Sequence, residues 1–332
     1  MQNKCNGVPW SVALEDEIIT EYAGIKLRDY YTNSKVMLDA QLKAKEKFQK
    51  LYGIGRFVKI GPTYSSYLEG TMLGVKVFFP KDDVPWPDKK PLITDIREVD
   101  KLRILNPFTE GLMAKYIKTY LYMKEKVGNK YSIELEGENR GPEGPITTAV
   151  IIRGQDFFMD IYDHPRDVHK LVKLVTEVSL LMRRTIEKVI GIRMKSTWIK
   201  DDYAGMLTPA QYEEFVLPYY QKIYQEFGEE SRILHSELLR KEHLKLVDPL
   251  RLTWYSPASS SYLAVKDILE VIGPIFTYQI KPQELINGSP ESIRMRYRQL
   301  VKQGAPEIET YPIRGVPSEN LKAAIAIAKE FE

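Results

Sequence analysis

Arg232-Ile233-Leu234-His235-Ser236-Glu237-Leu238-Leu239 reads as a strand that starts in an apolar run and ends by presenting two ligand-type side chains. Successive side chains of an extended backbone point to opposite faces, so His235 and Glu237, two residues apart, look the same way. A sheet can in this manner offer an imidazole and a carboxylate to one metal ion or one substrate. The plainer alternative, a hydrogen-bonded core histidine, is not excluded by an i, i+2 pair alone.

Outward from this strand the chain alternates. Strands are expected at residues 132–136, 196–201, 252–256, 275–279 and 308–311, with shorter ones at 57–60 and 75–79 and a Pro-rich loop over 80–91. Helical stretches run from about 146, over 168–190, over 209–227 and over 320–331, the last capped by Ser318. Residues 10–52 carry a helical pattern of charged residues interleaved with Leu, Ile and Phe. Alternation on this scale implies a parallel sheet, either a closed barrel or an open doubly wound one. No Gly-x-Gly-x-x-Gly follows a strand and no Gly-Lys-Ser/Thr phosphate loop is present, which removes the usual reasons for the open sheet. The expected fold is therefore an α/β protein, a (β/α)8 TIM-type barrel over residues 56–332 preceded by an N-terminal helical extension over 1–55. Its chemistry should lie where strands end and the following loops begin.

Bulk properties narrow the partners. With 48 basic against 45 acidic residues the net charge is +3, which gives no reason to expect nucleic acid or an anionic membrane. The single cysteine, Cys5, excludes an internal disulfide and a thiolate-rich metal site made by one chain. Residues 1–7 lack the apolar core of a secretory signal, and no run approaches a membrane span, so a cytoplasmic location is expected.

Several blocks then carry a resemblance. Gly144-Pro145-Ile146-Thr147-Thr148-Ala149, the Arg153-Gly154-Gln155-Asp156 segment after it, and Asp201-Asp202-Tyr203-Ala204-Gly205-Met206-Leu207-Thr208-Pro209 resemble the uroporphyrinogen decarboxylase superfamily. Asn287-Gly288-Ser289-Pro290 and Gly315-Val316-Pro317 extend the likeness toward the C-terminus, so that it covers roughly residues 60–332. The N-terminal Arg-Gln-Ala-Gly-Arg stretch of the porphyrin-pathway enzyme has no counterpart. The chain looks more like the methyltransferase branch, which implies a small-molecule methyl donor and a corrinoid carried by a partner protein. That branch typically holds zinc through a His-x-Cys on one strand and a later Cys. Here His235 matches the histidine, while Glu237 and Arg314 stand at the cysteine positions. Two arrangements follow. Zinc or another divalent metal is held by His235, Glu237 and a further acid such as Glu136 or Asp202; or Glu237 and Arg314 form an ion pair in the space a metal would fill.

The site expected from these readings has His235, Glu237 and Asp202 as catalytic residues. Tyr64, Glu136, Arg153, Asp201, Tyr255 and Arg314 are the expected substrate contacts. Asp201 and Asp202 are adjacent and face opposite ways, so at most one should enter the site unless the strand ends between them, and either could cap the helix that follows. Tyr64, Tyr67 and Tyr255 either wall an aromatic pocket or pack beneath the extension. His164 and His169 read as structural and His243 as solvated. The leading function is methyl transfer. Its rivals are a metal-free decarboxylase or lyase, in which Arg314 and Arg153 grip carboxylates, and a non-enzymatic protein that binds a corrinoid or tetrapyrrole.

Overall fold

A computed structural model describes residues 7–64, 67–138, 140–258 and 260–332. Cys5 and all but the last residue of the opening segment lie outside them, as do Ser65 and Ser66 beside Tyr64 and Tyr67. The strands are β1 (Trp10–Val12), β2 (Val77–Phe78), β3 (Trp86–Pro87), β4 (Ser196–Lys200), β5 (Ser231–His235), β6 (Trp254–Ser256), β7 (Thr277–Ile280) and β8 (Glu307–Thr310).

Two three-stranded parallel sheets, β4-β5-β6 and β7-β8-β1, meet where Tyr255 pairs with Phe276 and the Tyr255 N–H donates to the Ile275 carbonyl at 2.8 Å. Six strands therefore follow one another in parallel, which requires crossover segments between them. Helices α1 (Asp16–Ala23), α2 (Leu27–Thr32) and α3 (Ser34–Tyr52) precede α4 (Leu68–Met72) and α5 (Gly111–Val127). After α6 (Pro145–Arg153), α7 (Phe157–Asp163) and α8 (Pro165–Ile190), helices α9 (Pro209–Phe215) and α10 (Leu217–Phe227) join β4 to β5. The remaining crossovers are α11 (Lys241–Leu244), α12 (Val265–Ile272), and α13 (Pro282–Asn287) with α14 (Pro290–Lys302); α15 (Ser318–Glu330) closes the chain. On α8, Val168, Leu171, Val172, Val175, Val178 and Met182 recur at helical spacing and form its buried face. Among the described residues no helix is long and apolar enough to cross a membrane.

Four sequence expectations are corrected. Residues 10–12, which read as the start of a helix, form β1 and pair in register with β8, Trp10 opposite Ile308; three residues are too few to show a period of two. The segment 57–60 is a 3₁₀ turn (Gly55–Phe57) followed by irregular chain, and 132–136 is not a strand either. Both still run beside the sheet: the Glu134 N–H donates to Ile60 O at 2.8 Å, the Trp198 N–H to Gly137 O at 3.0 Å and the Lys200 N–H to Pro142 O at 3.1 Å. Pro62 and Pro142 supply no N–H, and Gly137 turns the chain at φ 84°, so no regular ladder forms there. Residues 86–87, inside what reads as a Pro-rich loop, form β3 and pair antiparallel with 77–78, so the strand expected at 75–79 is one arm of a hairpin. The described strands are thus six in parallel plus a hairpin, and they do not by themselves ring the sheet.

Pairing in register aligns side chains across neighbouring strands. Lys200 stands opposite His235, and His235 opposite Ser256. Lower on the same sheet face the lining is polar: Ser11 Oγ donates to Glu307 Oε1 at 3.0 Å, Gln279 Nε2 to Glu309 Oε2 at 2.5 Å and Trp254 Nε1 to Thr277 Oγ1 at 2.8 Å. A parallel barrel core is ordinarily layered with branched aliphatics. This face is built instead to hold polar groups.

Candidate active site at the strand ends

Asp201 and Asp202 leave β4 in opposite directions. Asp201 is fully buried and accepts from the Ile146 N–H (2.9 Å), the Thr147 N–H (2.7 Å) and Thr147 Oγ1 (2.7 Å). Helix α6 has no cap of its own at Gly144 and Pro145 lacks an N–H, so a carboxylate from β4 caps it from outside. Any side chain at Gly144 would meet Asp201, since a Cβ there would lie 2.4 Å from its Cβ and Oδ2. Burial pushes the Asp201 carboxyl up to about 6 against these donors. It is a structural group, buried at 0% exposure and engaged by three donors.

Asp202 turns to the other side. Its Oδ1 accepts the Glu237 N–H at 2.8 Å and lies 3.8 Å from His235 Nε2, too far for a hydrogen bond. His235 Nδ1 is 3.0 Å from Ser256 Oγ. Burial pushes the imidazole down to about 4 in spite of Asp202, so it is neutral near pH 7 with Nε2 free to donate or accept according to tautomer. Glu237 is partly buried; burial first, then Asp202, pushes its carboxyl up. Beside His235, Lys200 Nζ lies 3.3 Å from Glu143 Oε1. Burial works against the Lys200 ammonium, but Glu143, Asp202 and Glu15 outweigh it and hold it above its ordinary value. Glu143 is pushed up to about 7 by burial, with Lys200 opposing. Tyr67 stands in the field of Glu143 and Lys200, and Tyr311 in that of Glu15, Glu309 and Glu237.

The turn that positions Asp202 explains the Asp-x-Ala-Gly stretch. The 3₁₀ turn Tyr203–Met206 lies so close to Leu238 that a Cβ on Gly205 would come within 2.4 Å of its carbonyl carbon. Thr208 then caps α9, with its Oγ1 accepting the Gln211 N–H and Gln211 Oε1 accepting the Thr208 N–H.

Other expected contacts lie elsewhere. Arg153 is buried and committed, Nε to Asp160 Oδ2 at 2.7 Å and Nη1 to Asp156 at 3.1 Å. Tyr64 packs under the N-terminal helices with its hydroxyl 2.7 Å from Thr119 Oγ1, and Tyr255 is buried with its hydroxyl donating to Ser236 O at 2.9 Å. Arg314 is exposed and donates to Asp82 O at 3.1 Å; among the described residues the alternative ion pair with Glu237 is not formed. Glu136 is buried, and burial raises its carboxyl with Arg140 and Lys200 opposing. His243, which reads as solvated in the sequence, is buried against Tyr212, with Nε2 2.8 Å from Leu207 O.

Lys200, Glu143, Ser256 and Glu15 are not among the residues that the sequence singles out. Lys200 alone has a local signal, being two residues before Asp202 on the same alternation. A groove of about 620 Å³ between α11 and α12, lined by Lys241, Leu244, Val247 and Ile272, holds none of the strand-end residues.

Among the described residues no three His, Cys, Asp or Glu side chains converge as a metal-binding set. His235 and Asp202 would supply two donors, and Arg314, at the position where the resemblance implies a later ligand, is exposed. As it stands this donor set does not fit a zinc site, and no step below passes through a metal.

No curated protein matches the sequence. Among solved structures, a methyltransferase from Methanosarcina mazei superposes with a TM-score of 0.76, covering 99% of this chain and 95% of that chain at 18% identity, a likeness of fold. The family model described as uroporphyrinogen decarboxylase (URO-D) matches residues 13–330, β4 and β5 and the cluster at their ends included, and the chain belongs to that family.

Proposed function

We propose that the chain is a methyltransferase which moves a methyl group from a small donor to a corrinoid protein or related acceptor, and that the mouth of a (β/α)8-type barrel is where it does so. The observation that carries this reading is the convergence of Lys200, Asp202, His235 and Glu237 at the ends of adjacent parallel strands, with His235 Nε2 unbonded and Glu237 free of any side-chain partner among the described residues. The fold likeness to a methyltransferase supports it.

Methyl transfer is an in-line displacement. The acceptor's electron pair forms a bond to the methyl carbon while the pair of the breaking bond stays on the leaving heteroatom. The barrier falls when donor and acceptor are aligned and the leaving atom is stabilised. Ser256 fixes the imidazole through Nδ1 and so aims Nε2 into the mouth. Glu237 faces the leaving heteroatom from the same mouth, and Asp202 orients Glu237 through its backbone N–H.

The test is methyl transfer to free cob(I)alamin from a panel of methylated amines and methoxylated aromatics, followed by the visible spectrum of the cobalt centre. A donor-dependent conversion lost in His235→Ala supports the reading. Its absence with every donor, alongside carbon dioxide release from a carboxylated ring, would replace it with the decarboxylase. Metal analysis of the same preparation tests the zinc expectation: a stoichiometric divalent ion lost on His235→Ala would restore it.

A further inference from the structure

We propose that the mouth receives its donor as a cation, a methylated ammonium head seated between Glu237 and Asp202, rather than as a carboxylate or a neutral methoxy compound. The inference rests on the methyl-transfer reading and names the substrate class for the same site.

The charges at the mouth do not balance. Lys200 is taken up by Glu143 at 3.3 Å. Among the described residues neither Asp202 nor Glu237 has a lysine or arginine within 4 Å; Lys200 acts on both from farther away while paired with Glu143, and the imidazole of His235 stands 3.8 Å from Asp202. A carboxylate withdrawn from water without a counter-charge is costly, and a ligand bearing a permanent positive charge removes that cost.

A second observation is independent of this pair. Glu136 is 7% exposed, and among the described residues its carboxylate accepts no hydrogen bond and enters no ion pair; only its backbone N–H is engaged, with Tyr116 Oη at 2.9 Å. Arg140 first, then Lys200, are the opposing charges that act on this buried acid, so it shares the field of Lys200 with Glu237. The guanidinium nearby, Arg140, is already faced by Asp16, Glu136 and Glu15.

The groups that would grip an anionic donor are absent from the mouth. Arg153 is closed in its pair with Asp160, and Arg314 faces outward onto Asp82 O. Tyr67 lies in the field of Glu143 and Lys200 and Tyr311 in that of Glu237, their hydroxyls making no hydrogen bond among the described residues, and phenol rings suit weakly hydrated methylammonium groups.

A cationic head also gives a balanced step. The C–N bond breaks with its pair left on nitrogen, the acceptor's pair closes on the methyl carbon, and the product is an amine with one positive charge fewer. The carboxylates hold the product less strongly than the donor, which favours release.

Calorimetric titration of the whole purified chain with tetramethylammonium, anisole and methoxybenzoate, near neutral pH and at two salt concentrations, tests the proposal without requiring turnover. Tetramethylammonium should bind at least about tenfold more tightly than either methoxy compound, a difference of roughly 1.4 kcal/mol, and more weakly at high salt. Glu237→Gln should lose about tenfold for tetramethylammonium and little for anisole; circular dichroism confirms that the variant folds, as Glu237 makes no side-chain bond to lose. Failure of tetramethylammonium to bind, equal or tighter binding of a methoxy compound, or an unchanged Glu237→Gln overturns the cationic donor. Binding without transfer to cobalt would instead remove the methyltransferase reading and leave the cation pocket standing.

Discussion

Asp201 and Asp202 are chemically identical, adjacent in sequence and fixed by the same strand, yet one is saturated and the other open. Asp201 meets three donors from the start of α6 and is closed off from solvent. Asp202 accepts one backbone N–H and looks across 3.8 Å at an unbonded imidazole nitrogen. The difference lies in the period of two: β4 sends one carboxylate to the helix layer, where an uncapped N-terminus needs an acceptor, and the next to the strand-end mouth. Function is available where hydrogen-bonding capacity is left over.

The largest expected effect sharpens that contrast on the open side. Asp202→Asn keeps an acceptor for the Glu237 N–H but removes the charge facing His235. Methyl transfer should fall by about a hundredfold or more, while unfolding free energy stays within about 1 kcal/mol of the parent. Spectroscopic transfer assays and urea titration read the two numbers on one preparation. A loss of stability without a specific loss of rate would erase the distinction between the two aspartates.

On the closed side, Asp201→Ala strands two N–H groups and a hydroxyl in a dry environment and should cost about 3 kcal/mol of stability. The urea midpoint should drop with its slope unchanged. Gly144→Ala approaches the same damage from the other partner, because its Cβ would arrive 2.4 Å from the Asp201 side chain. If either variant unfolds at the parental midpoint, Asp201 is not the cap of α6.

Much of this contrast is legible in the sequence. Alternation along 196–202 and 232–237 sets Asp201 against Asp202, and His235 with Glu237, because side-chain direction in a strand is local. Lys200 shares the face of Asp202 by the same alternation, but its place beside His235 comes from the register of β4 on β5, which no single segment encodes. Arg314 meets the carbonyl of Asp82, far away in sequence, and His243 is buried against Tyr212 from another helix. The missing strands at 57–60 and 132–136 have β-like composition but lie among prolines and a positive-φ glycine that interrupt the ladder. The short β1 offers only three residues from which to judge a period. Lys200, Arg314, His243 and the two lost strands share one cause: the deciding partner is distant in sequence or the deciding torsion sits just outside the motif.

A third acid stands between the two extremes. Glu309 is half satisfied, by Gln279 Nε2 at 2.5 Å and more distantly by Ser11 Oγ at 3.5 Å. Burial, with Glu15 and Glu307 adding to it and Gln279 opposing, pushes its carboxyl up from 4.5 to about 7. The folded chain therefore keeps a proton that the unfolded chain gives up between those values. Stability should fall as pH rises through that window, and stay level above and below it, by roughly 3 kcal/mol in all. Glu309→Gln carries an amide in place of the protonated acid and should flatten this slope in urea titrations taken from about pH 4.5 to 7. An unchanged slope would assign the loss to another carboxyl.

Arg314 provides the smallest effect and bears most directly on the site. The resemblance in sequence implies a ligand position here, yet the guanidinium is exposed and its one hydrogen bond among the described residues goes to the backbone carbonyl of Asp82. Exposed contacts of this kind are worth little, so Arg314→Ala should change unfolding free energy by less than about 0.5 kcal/mol. Affinity for ammonium donors should also hold, since the mouth acids neither pair with Arg314 nor are neutralised by it. A drop of about tenfold in donor affinity, or a gain in affinity for carboxylated rings in the parent that vanishes in Arg314→Ala, would put the guanidinium back at the mouth. In that case Glu237 is not an open acid, and its likeness to Asp202 rather than to Asp201 would have to be withdrawn.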